Sequence, residues 1–219
     1  MPSPFDQSTY QVRLDWGTAG LARLAPSDVV VVVDVLRLSS TVIDAVDSGA
    51  EVALAAAEGW SHNGAAVAAA ASSNATVIVG GIRNATSVAR AVQTIQERRQ
   101  ARTSVAVIAA GELDAAGTLR FAVEDQLGAG AIILALSDRG IDHTAPDAAV
   151  AAEGFRALRG AVRHMIGASG SGRELAVGVG ATARIEAAGL VPTTVSDAAV
   201  HDAVDVVPVL RDGFFTRFA

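Results

Sequence analysis

Residues 29–44 read VVVVVDVLRLSSTVID, and this order predicts a buried strand that delivers polar groups to the start of a helix. Five consecutive valines are typical of a parallel strand that is covered on both faces. The acid Asp34 and the base Arg37 follow the strand. Three hydroxyls come next, at Ser39, Ser40 and Thr41. Ligands of α/β sheets bind at the carboxyl ends of strands, and helix N-termini favour phosphate. The segment therefore predicts an anion or metal site, and the simpler alternative is a helix cap beside a surface Asp–Arg pair.

The composition predicts one α/β domain over residues 1–219, built on small aliphatic side chains. Hydrophobic residues make up 51% of the 219 residues, whereas charged residues make up 18% and aromatic residues only 4%. The formal net charge is −6, which argues against a nucleic-acid partner because such partners need a clustered basic surface. We expect the partner to be a small molecule instead.

The absence of cysteine excludes disulfides, thiolate nucleophiles and cysteine-ligated metals. It fits a reducing compartment. Residues 1–10 are polar and contain proline, unlike a secretory signal, and the apolar run at 129–136 is too short to span a bilayer. We therefore expect a cytoplasmic protein without membrane contact. An Ala/Val-rich surface helix could mediate a homodimer, although no residue pattern establishes one.

Strand-like runs alternate with helical spacing along the chain. The predicted strands are 10–14, 29–35, 51–54, 76–79, 105–109 and 206–210, and the predicted helices are 41–48, 64–71, 86–99, 121–136 and 147–166. This alternation predicts a three-layer α/β/α fold with a mainly parallel or mixed sheet.

Two glycine-rich segments fall short of nucleotide-binding motifs. Residues 167–173 lack the Gly-Lys-Ser/Thr ending of a P-loop and follow a helix, so a flexible helix–helix connection is favoured there. Residues 178–183 carry alanine at the third glycine position of the dinucleotide fingerprint. An NAD-type oxidoreductase is therefore disfavoured.

Adjacent acids, Glu124 and Asp125, lie inside an otherwise apolar segment. Neighbouring helical residues point about 100° apart, so at least one acid should approach the buried side. A buried carboxylate is costly unless it is paired or binds a metal. With Asp34, these acids could supply an all-oxygen Mg²⁺ site. The alternative is a first-turn acid that interacts with the helix dipole.

Two asparagine-bearing turns each precede a helical run. They are Asn63-Gly64 and Asn84-Ala85-Thr86. Asn84 is a natural N-cap, and the same amide could donate to a phosphate oxygen. The four histidines have no metal-ligand spacing, and no Gly-x-Ser-x-Gly elbow is present.

Eight motifs in order give the chain a resemblance to the 2-phosphosulfolactate phosphatase family (ComB-like phosphatases). They begin with VRLDWG at 12–17, VVDVLRLSST at 32–41, SHNG at 61–64 and VGGIRNATSVA at 79–89. They continue with AAGE at 109–112, LRFAVEDQLGAG at 119–130, SGREL at 171–175 and VPVLRDGF at 207–214. The resemblance extends nearly from end to end.

The resemblance implies an α/β/α fold and a Mg²⁺-dependent acid phosphatase that hydrolyses the phosphate ester of 2-phosphosulfolactate, a step toward coenzyme M. Carried over by position, the catalytic residues would be Asp34, Arg37 and Glu124. Asp34, Glu124 and Asp125 would hold the metal ion. Ser39, Ser40, Thr41, Asn63, Gly64 and Asn84 would bind substrate. In this division of labour Arg37 and the turn amides clamp the phosphate, while a water or one acid attacks phosphorus.

The chain departs from the family pattern between the second strand and the Asn-Gly turn. Family members carry a long segment there, whereas this chain has only about residues 51–60. The family's Thr-Thr-Asn-Gly-Thr is Ser61-His-Asn-Gly-Ala65 here, with fewer hydroxyls to face a phosphate. Two interpretations therefore stay open: a phosphatase acting on 2-phosphosulfolactate or a related 2-phospho acid, and a catalytically reduced relative that binds a small anion without hydrolysis.

Overall fold

The computed structural model describes residues 3–71, 75–114, 116–178 and 180–219. The strands are β1 Val12–Trp16, β2 Val29–Val33, β3 Val52–Ala53, β4 Thr76–Val79, β5 Val105–Ala109, β6 Glu112–Leu113, β7 Leu119–Arg120, β8 Pro208–Arg211 and β9 Phe214–Arg217. The helices are α1 Gly17–Arg23, α2 Ser40–Asp47, α3 Leu54–Ala57, α4 His62–Ala70, α5 Ala85–Arg99, α6 Val123–Ser137, α7 Pro146–Leu158, α8 Val162–Ala168, α9 Gly170–Val177, α10 Gly180–Ala187 and α11 Val195–Ala198.

A seven-stranded mixed sheet forms the middle layer, in the order β1-β5-β2-β4-β8-β9-β3. The first four strands of that order run parallel. β8, β9 and β3 continue the sheet through antiparallel pairs. β6 and β7 form a separate antiparallel hairpin after β5. Since β2 lies between β5 and β4, its carboxyl end is at the middle of the parallel edge, where α/β sheets bind ligands.

Side-chain alternation along β2 supplies both faces of the core. Val29, Val31 and Val33 pack in the cluster that contains residues of α5, α6 and α7. Val30 and Val32 pack in the opposite cluster, which contains residues of α2 and α4. All five valines of the strand are buried, as a parallel strand covered by helices on both sides requires. The predicted α/β/α class with a mixed sheet is therefore confirmed.

The helical segment predicted at 147–166 is interrupted. α7 ends at Leu158, a 3₁₀ turn covers Arg159–Ala161, and α8 begins at Val162. The turn contains Gly160, a poor helix former, and the three turn residues are not buried. With no burial to stabilise a continuous helix, the regular α-helix is interrupted there.

The glycine-rich segment 167–173 contains the predicted connection between two helices, but this connection is the single residue Ser169 between α8 and α9. Ser169 accepts a hydrogen bond from the backbone N–H of Gly172 and caps α9, so the segment begins a helix. The apolar spacing did not reveal this short helix, whereas the Ser169 cap explains it. In the part of the chain that the structure describes, no helix is both long and apolar enough to cross a membrane.

Candidate active site

A cleft of about 230 Å³ lies at the carboxyl ends of β2 and β5. The loop after β2, the β5–β6 connection and the first turns of α4, α6 and α9 all contribute to its walls. The lining side chains include Asp34, Arg37, Trp60, Ser61, His62, Asn63, Glu112, Glu124, Asp125, Ser171 and Arg184. The cleft thus brings together three acids that were predicted from the sequence as site residues: Asp34, Glu124 and Asp125.

Asp34 is buried at the floor of the cleft, with 6% of its surface exposed. The hydroxyl of Ser61 donates to Oδ2 of Asp34. Burial raises the pKa of Asp34, and the charge of Glu124 acts in the same direction, while Ser61 and Arg37 oppose the shift. The carboxyl group is therefore held in place by a hydroxyl and lies in the field of a second acid.

Asp125 ties two loops of the site together. Its Oδ1 accepts the backbone N–H of Val35 at 2.8 Å, and its Oδ2 accepts that of Gly111 at 2.9 Å. Burial raises the pKa of Asp125 well above its usual range, and the charges of Asp34 and Glu124 add to the shift. Because both carboxyl oxygens accept backbone N–H groups, this residue fixes the loops after β2 and β5.

Glu124 is 2% exposed and lies beside a second acid, Glu112. The hydroxyl of Ser171 donates to Oε1 of Glu124 and also lies 3.0 Å from Oε2 of Glu112. The other carboxyl oxygen, Glu124 Oε2, is buried and has no hydrogen-bond partner among the described residues. A buried carboxylate oxygen without a partner is costly, so this atom is suited to a cation or a ligand proton.

Arg37 enters the cleft from the irregular turn Val35–Ser39. The peptide bond between Leu36 and Arg37 is cis. Nη2 of Arg37 lies 3.6 Å from a carboxyl oxygen of Glu174 on α9. Nη1 is buried and has no partner among the described residues. The guanidinium group therefore keeps a free donor in a cleft that also contains four acids, which suits the binding of an oxyanion.

Five residues predicted to bind substrate do not line the cleft, so that prediction is corrected for Ser39, Ser40, Thr41, Gly64 and Asn84. Ser39 Oγ accepts the backbone N–H of Asp34 at 3.0 Å, and Ser40 Oγ donates to the carbonyl of Val35 at 2.8 Å. Both hydroxyls thus stabilise the turn that carries Arg37. Thr41 is buried in α2. The tight turn after β2 needs these groups for its own backbone, a competition that spacing alone does not reveal.

Asn84, another of these residues, is fully buried and does not line the cleft. Its Oδ1 accepts the backbone N–H of Gly81 at 3.0 Å, and its Nδ2 donates to the carbonyl of Val206 at 2.9 Å. It is the N-cap residue of α5, but its side chain makes no capping hydrogen bond there. The amide therefore joins the end of β4 to the C-terminal segment, and no polar atom is left for a substrate.

Asn63 and Gly64 lie in the first turn of α4, which begins at His62. Asn63 lines the cleft, and its Nδ2 donates to the carbonyl of Gly111 at 2.7 Å. Gly64 lies against Asp34: a Cβ at Gly64 would be 2.5 Å from Asp34 Oδ2. Gly64 thus supports the acid by leaving space for it.

Six polar side chains of the cleft were missed as site residues in the sequence: Trp60, Ser61, His62, Glu112, Ser171 and Arg184. Ser61, His62, Glu112 and Ser171 belong to motifs of the family resemblance, and that was the available signal. Arg184 and Trp60 carried no signal, because they reach the cleft only through the packing of α10 and of the turn before α4.

The predicted set of three metal-binding acids is also corrected. No three Asp, Glu, His or Cys side chains converge as a metal site within the described ranges. Both carboxyl oxygens of Asp125 accept backbone N–H groups. In contrast, Glu124 has a buried oxygen without a hydrogen-bond partner among the described residues. Mg²⁺ commonly uses one or two carboxylates together with waters and substrate phosphate. Glu124 and Asp34 fit that requirement.

A larger groove of about 1120 Å³ lies between the N-terminal segment and α7. Its basic residue, Arg23, is paired with Asp15 at 2.8 Å. Asp6 and Asp147 also line it. Its charged groups are therefore either mutually paired or acidic, and they do not offer an anion a free guanidinium group.

Comparison with known families identifies the chain. The model of the 2-phosphosulpholactate phosphatase family matches residues 60–213, which is more than half of the sequence. A search of curated proteins finds no match. The matched region contains Asn63, Glu124 and Asp125, whereas Asp34 and Arg37 precede it. The chain therefore belongs to the 2-phosphosulpholactate phosphatase family, whose name indicates phosphatase activity.

Proposed function

We propose that the protein is a Mg²⁺-dependent phosphatase that hydrolyses the phosphate ester of 2-phosphosulfolactate or a related small 2-phospho acid. One observation carries this proposal. The same small cleft contains a guanidinium nitrogen, Arg37 Nη1, and a carboxylate oxygen, Glu124 Oε2, that have no hydrogen-bond partner among the described residues. The first matches a phosphate oxygen and the second matches a cation.

The charges of the cleft support a cation as part of the site. Four carboxyl groups line it: Asp34, Glu112, Glu124 and Asp125. A phosphate ester entering alone would be repelled by these acids, and Arg37 is already close to Glu174. Bound Mg²⁺ would neutralise charge on the phosphate and the acids, and Asp34 and Glu124 are the residues that would hold it.

The other residues of the cleft bind the phosphate or hold the carboxyl groups and loops in position. Arg37 binds the phosphoryl oxygens and stabilises the charge that develops on them. Ser61 and Ser171 keep the carboxyl groups of Asp34 and Glu124 in position through their hydroxyl donors. Asp125 holds the two loops around the phosphate. Phosphoryl transfer depends mainly on positioning and electrostatic stabilisation, which this arrangement can supply.

The size of the cleft favours a small substrate. About 230 Å³ is below the range of about 300–1,000 Å³ that holds drug-sized ligands. The net charge of −6 disfavours a nucleic acid as the phosphate source. We also place the protein in the cytoplasm, because a cysteine-free chain suits a reducing compartment.

Phosphate release from a panel of phosphomonoesters tests the proposal. The panel contains 2-phosphosulfolactate, 2-phospholactate, glycerol phosphate and a nucleoside monophosphate, each assayed with Mg²⁺. The 2-phospho acids should be hydrolysed most efficiently. Glu124→Gln and Arg37→Gln should each lower kcat/KM by about 100-fold or more, whereas Arg173→Gln, an exposed change on α9, should not.

The same assay addresses the alternative of an anion binder without catalysis. That alternative predicts no phosphate release from any ester by the folded protein, together with saturable binding of inorganic phosphate that Arg37→Gln abolishes. Release that both site variants abolish excludes it.

A further inference from the structure

Two guanidinium groups line the cleft from different elements. Arg37 comes from the turn after β2, and Arg184 comes from α10. Arg184 makes no salt bridge within the described ranges, and its Nε donates to the carbonyl of Gly59. Because Nε is held by a backbone carbonyl, the terminal nitrogens remain as donors for another partner. The proposed phosphate site uses Arg37 and leaves this second guanidinium group without a role.

Trp60, next to Gly59 in the chain, also lines the cleft and carries a donor that has no partner among the described residues. Its side chain is 3% exposed, and its Nε1 is buried without a hydrogen-bond partner among the described residues. A buried donor left unpaired costs about 1–3 kcal/mol, and indole N–H groups usually find a partner when they are buried. A ligand acceptor would satisfy this atom.

We propose that Trp60 and Arg184 bind a second oxyanion of the substrate, a carboxylate or sulfonate attached near the phosphorylated carbon. This inference rests on the proposed function. It makes Trp60 and Arg184 the residues that determine which phosphate esters the same cleft selects. Arg37 binds the group that is transferred, and Trp60 with Arg184 binds a group that stays on the product. A site with donors placed for a polar group discriminates strongly against an analogue that lacks it, because the donors are then left unpaired.

A matched pair of esters measures this selectivity. 2-Phospholactate and isopropyl phosphate differ only by a carboxylate in place of a methyl group. We expect Arg184→Gln to lower the ratio of their kcat/KM values by about 100-fold, mainly because the carboxylate ester binds more weakly and its KM rises. Arg184→Lys should recover part of that ratio because it restores the charge but not the planar fork. Arg173→Gln is the control and should leave the ratio unchanged.

Trp60→Phe tests the indole donor separately, since it keeps an aromatic ring and removes the N–H group. We expect it to lower the same ratio by about tenfold. An unchanged ratio in both Arg184→Gln and Trp60→Phe would overturn the inference. Arg184 is exposed, so Arg184→Gln should fold normally even if Trp60→Phe does not.

A binding readout distinguishes failure of this inference from failure of the proposed function. The chain has two tryptophans, Trp16 and Trp60, and Trp16 packs against Phe121 in a tilted arrangement and does not line the cleft. In Trp16→Phe protein, the remaining fluorescence reports on Trp60. Titration with lactate, or with isethionate as the sulfonate probe, should give a saturable change that Arg184→Gln removes. If neither probe changes the fluorescence, the second-anion site is refuted, whether or not the protein hydrolyses phosphate esters.

Discussion

Gly64 lies directly against Asp34: a Cβ added at Gly64 would be 2.5 Å from Oδ2 and 2.8 Å from Cβ of the aspartate. The first turn of α4 therefore approaches the strand-end acid as closely as an unsubstituted Cα allows. The same turn of chain supplies Ser61, whose hydroxyl donates to Asp34. Glycine at position 64 is what lets the helix and the acid share this space.

Gly64→Ala should displace Asp34 and weaken both stability and activity. The added methyl group would also lie 2.8 Å from Cδ2 of Leu38, so neither neighbour offers free space. We expect a loss of about 1–3 kcal/mol in the free energy of unfolding, together with a lower kcat for phosphate release. Urea denaturation and steady-state kinetics measure the two effects.

The control for this substitution is Gly154→Ala, in α7. A Cβ at Gly154 would meet no atom within 4 Å, and alanine is favoured over glycine in a helix by about 1 kcal/mol. Gly154→Ala should therefore be as stable as the original protein or more stable. Equal stability of the Gly64→Ala and Gly154→Ala proteins would contradict the close approach.

Asp125 should make the protein less stable as the pH rises. Its usual pKa of 3.8 applies to the unfolded chain, and burial raises the pKa in the fold. The contribution of Asp125 to the free energy of unfolding is fully present below pH 3.8 and is lost as the pH rises through the folded-state pKa. The reason is that the unfolded chain releases this proton at a lower pH than the folded protein does. The slope for one such group is at most about 1.4 kcal/mol per pH unit.

Asp125→Asn removes this titration and should flatten the pH profile of stability. Asparagine can accept only one of the two backbone N–H groups in the same way, so a constant loss of stability is expected at every pH. Urea denaturation between pH 4 and 8 in the presence of a chelator gives both quantities. Parallel profiles for the two proteins would show that Asp125 is not the titrating group.

Asn84→Ala should lower stability without weakening substrate binding. The change leaves the N–H of Gly81 and the carbonyl of Val206 without their partner, at a cost of about 1–3 kcal/mol for each buried group left unpaired. The KM for the preferred phosphate ester should stay within about twofold, since Asn84 does not line the cleft. An increase in KM of about tenfold or more would show that Asn84 does contribute to substrate binding.

The strands β2, β4 and β5 of the sheet were predictable because each is a short run of mainly apolar, mostly β-branched residues. Residues 76–79 and 105–109 coincide with β4 and β5, where buried β-branched residues dominate. The three-layer class followed from the alternation of these strands with helices. The break between α7 and α8 was not predictable from spacing, since apolar residues at helical intervals continue across Gly160.

The acids of the site were also predictable, whereas their partners were not. Glu124 and Asp125 stood out because two acids in an apolar helix must be satisfied in the fold. Ser39 and Ser40 were misassigned as substrate ligands. A sequence does not show that their hydroxyls form hydrogen bonds with the backbone of the same turn. Trp60 and Arg184 reach the cleft through tertiary packing alone, and no local pattern indicates that.

The most direct test of the central claim is the rate of phosphate release from 2-phosphosulfolactate with Mg²⁺, after addition of a chelator, and after Mg²⁺ is restored. Asp34→Asn protein is assayed in parallel. We predict release that stops with the chelator, returns with Mg²⁺, and is lost in the variant. Release that is unaffected by the chelator, or its absence from the folded protein with Mg²⁺, would contradict a Mg²⁺-dependent phosphatase.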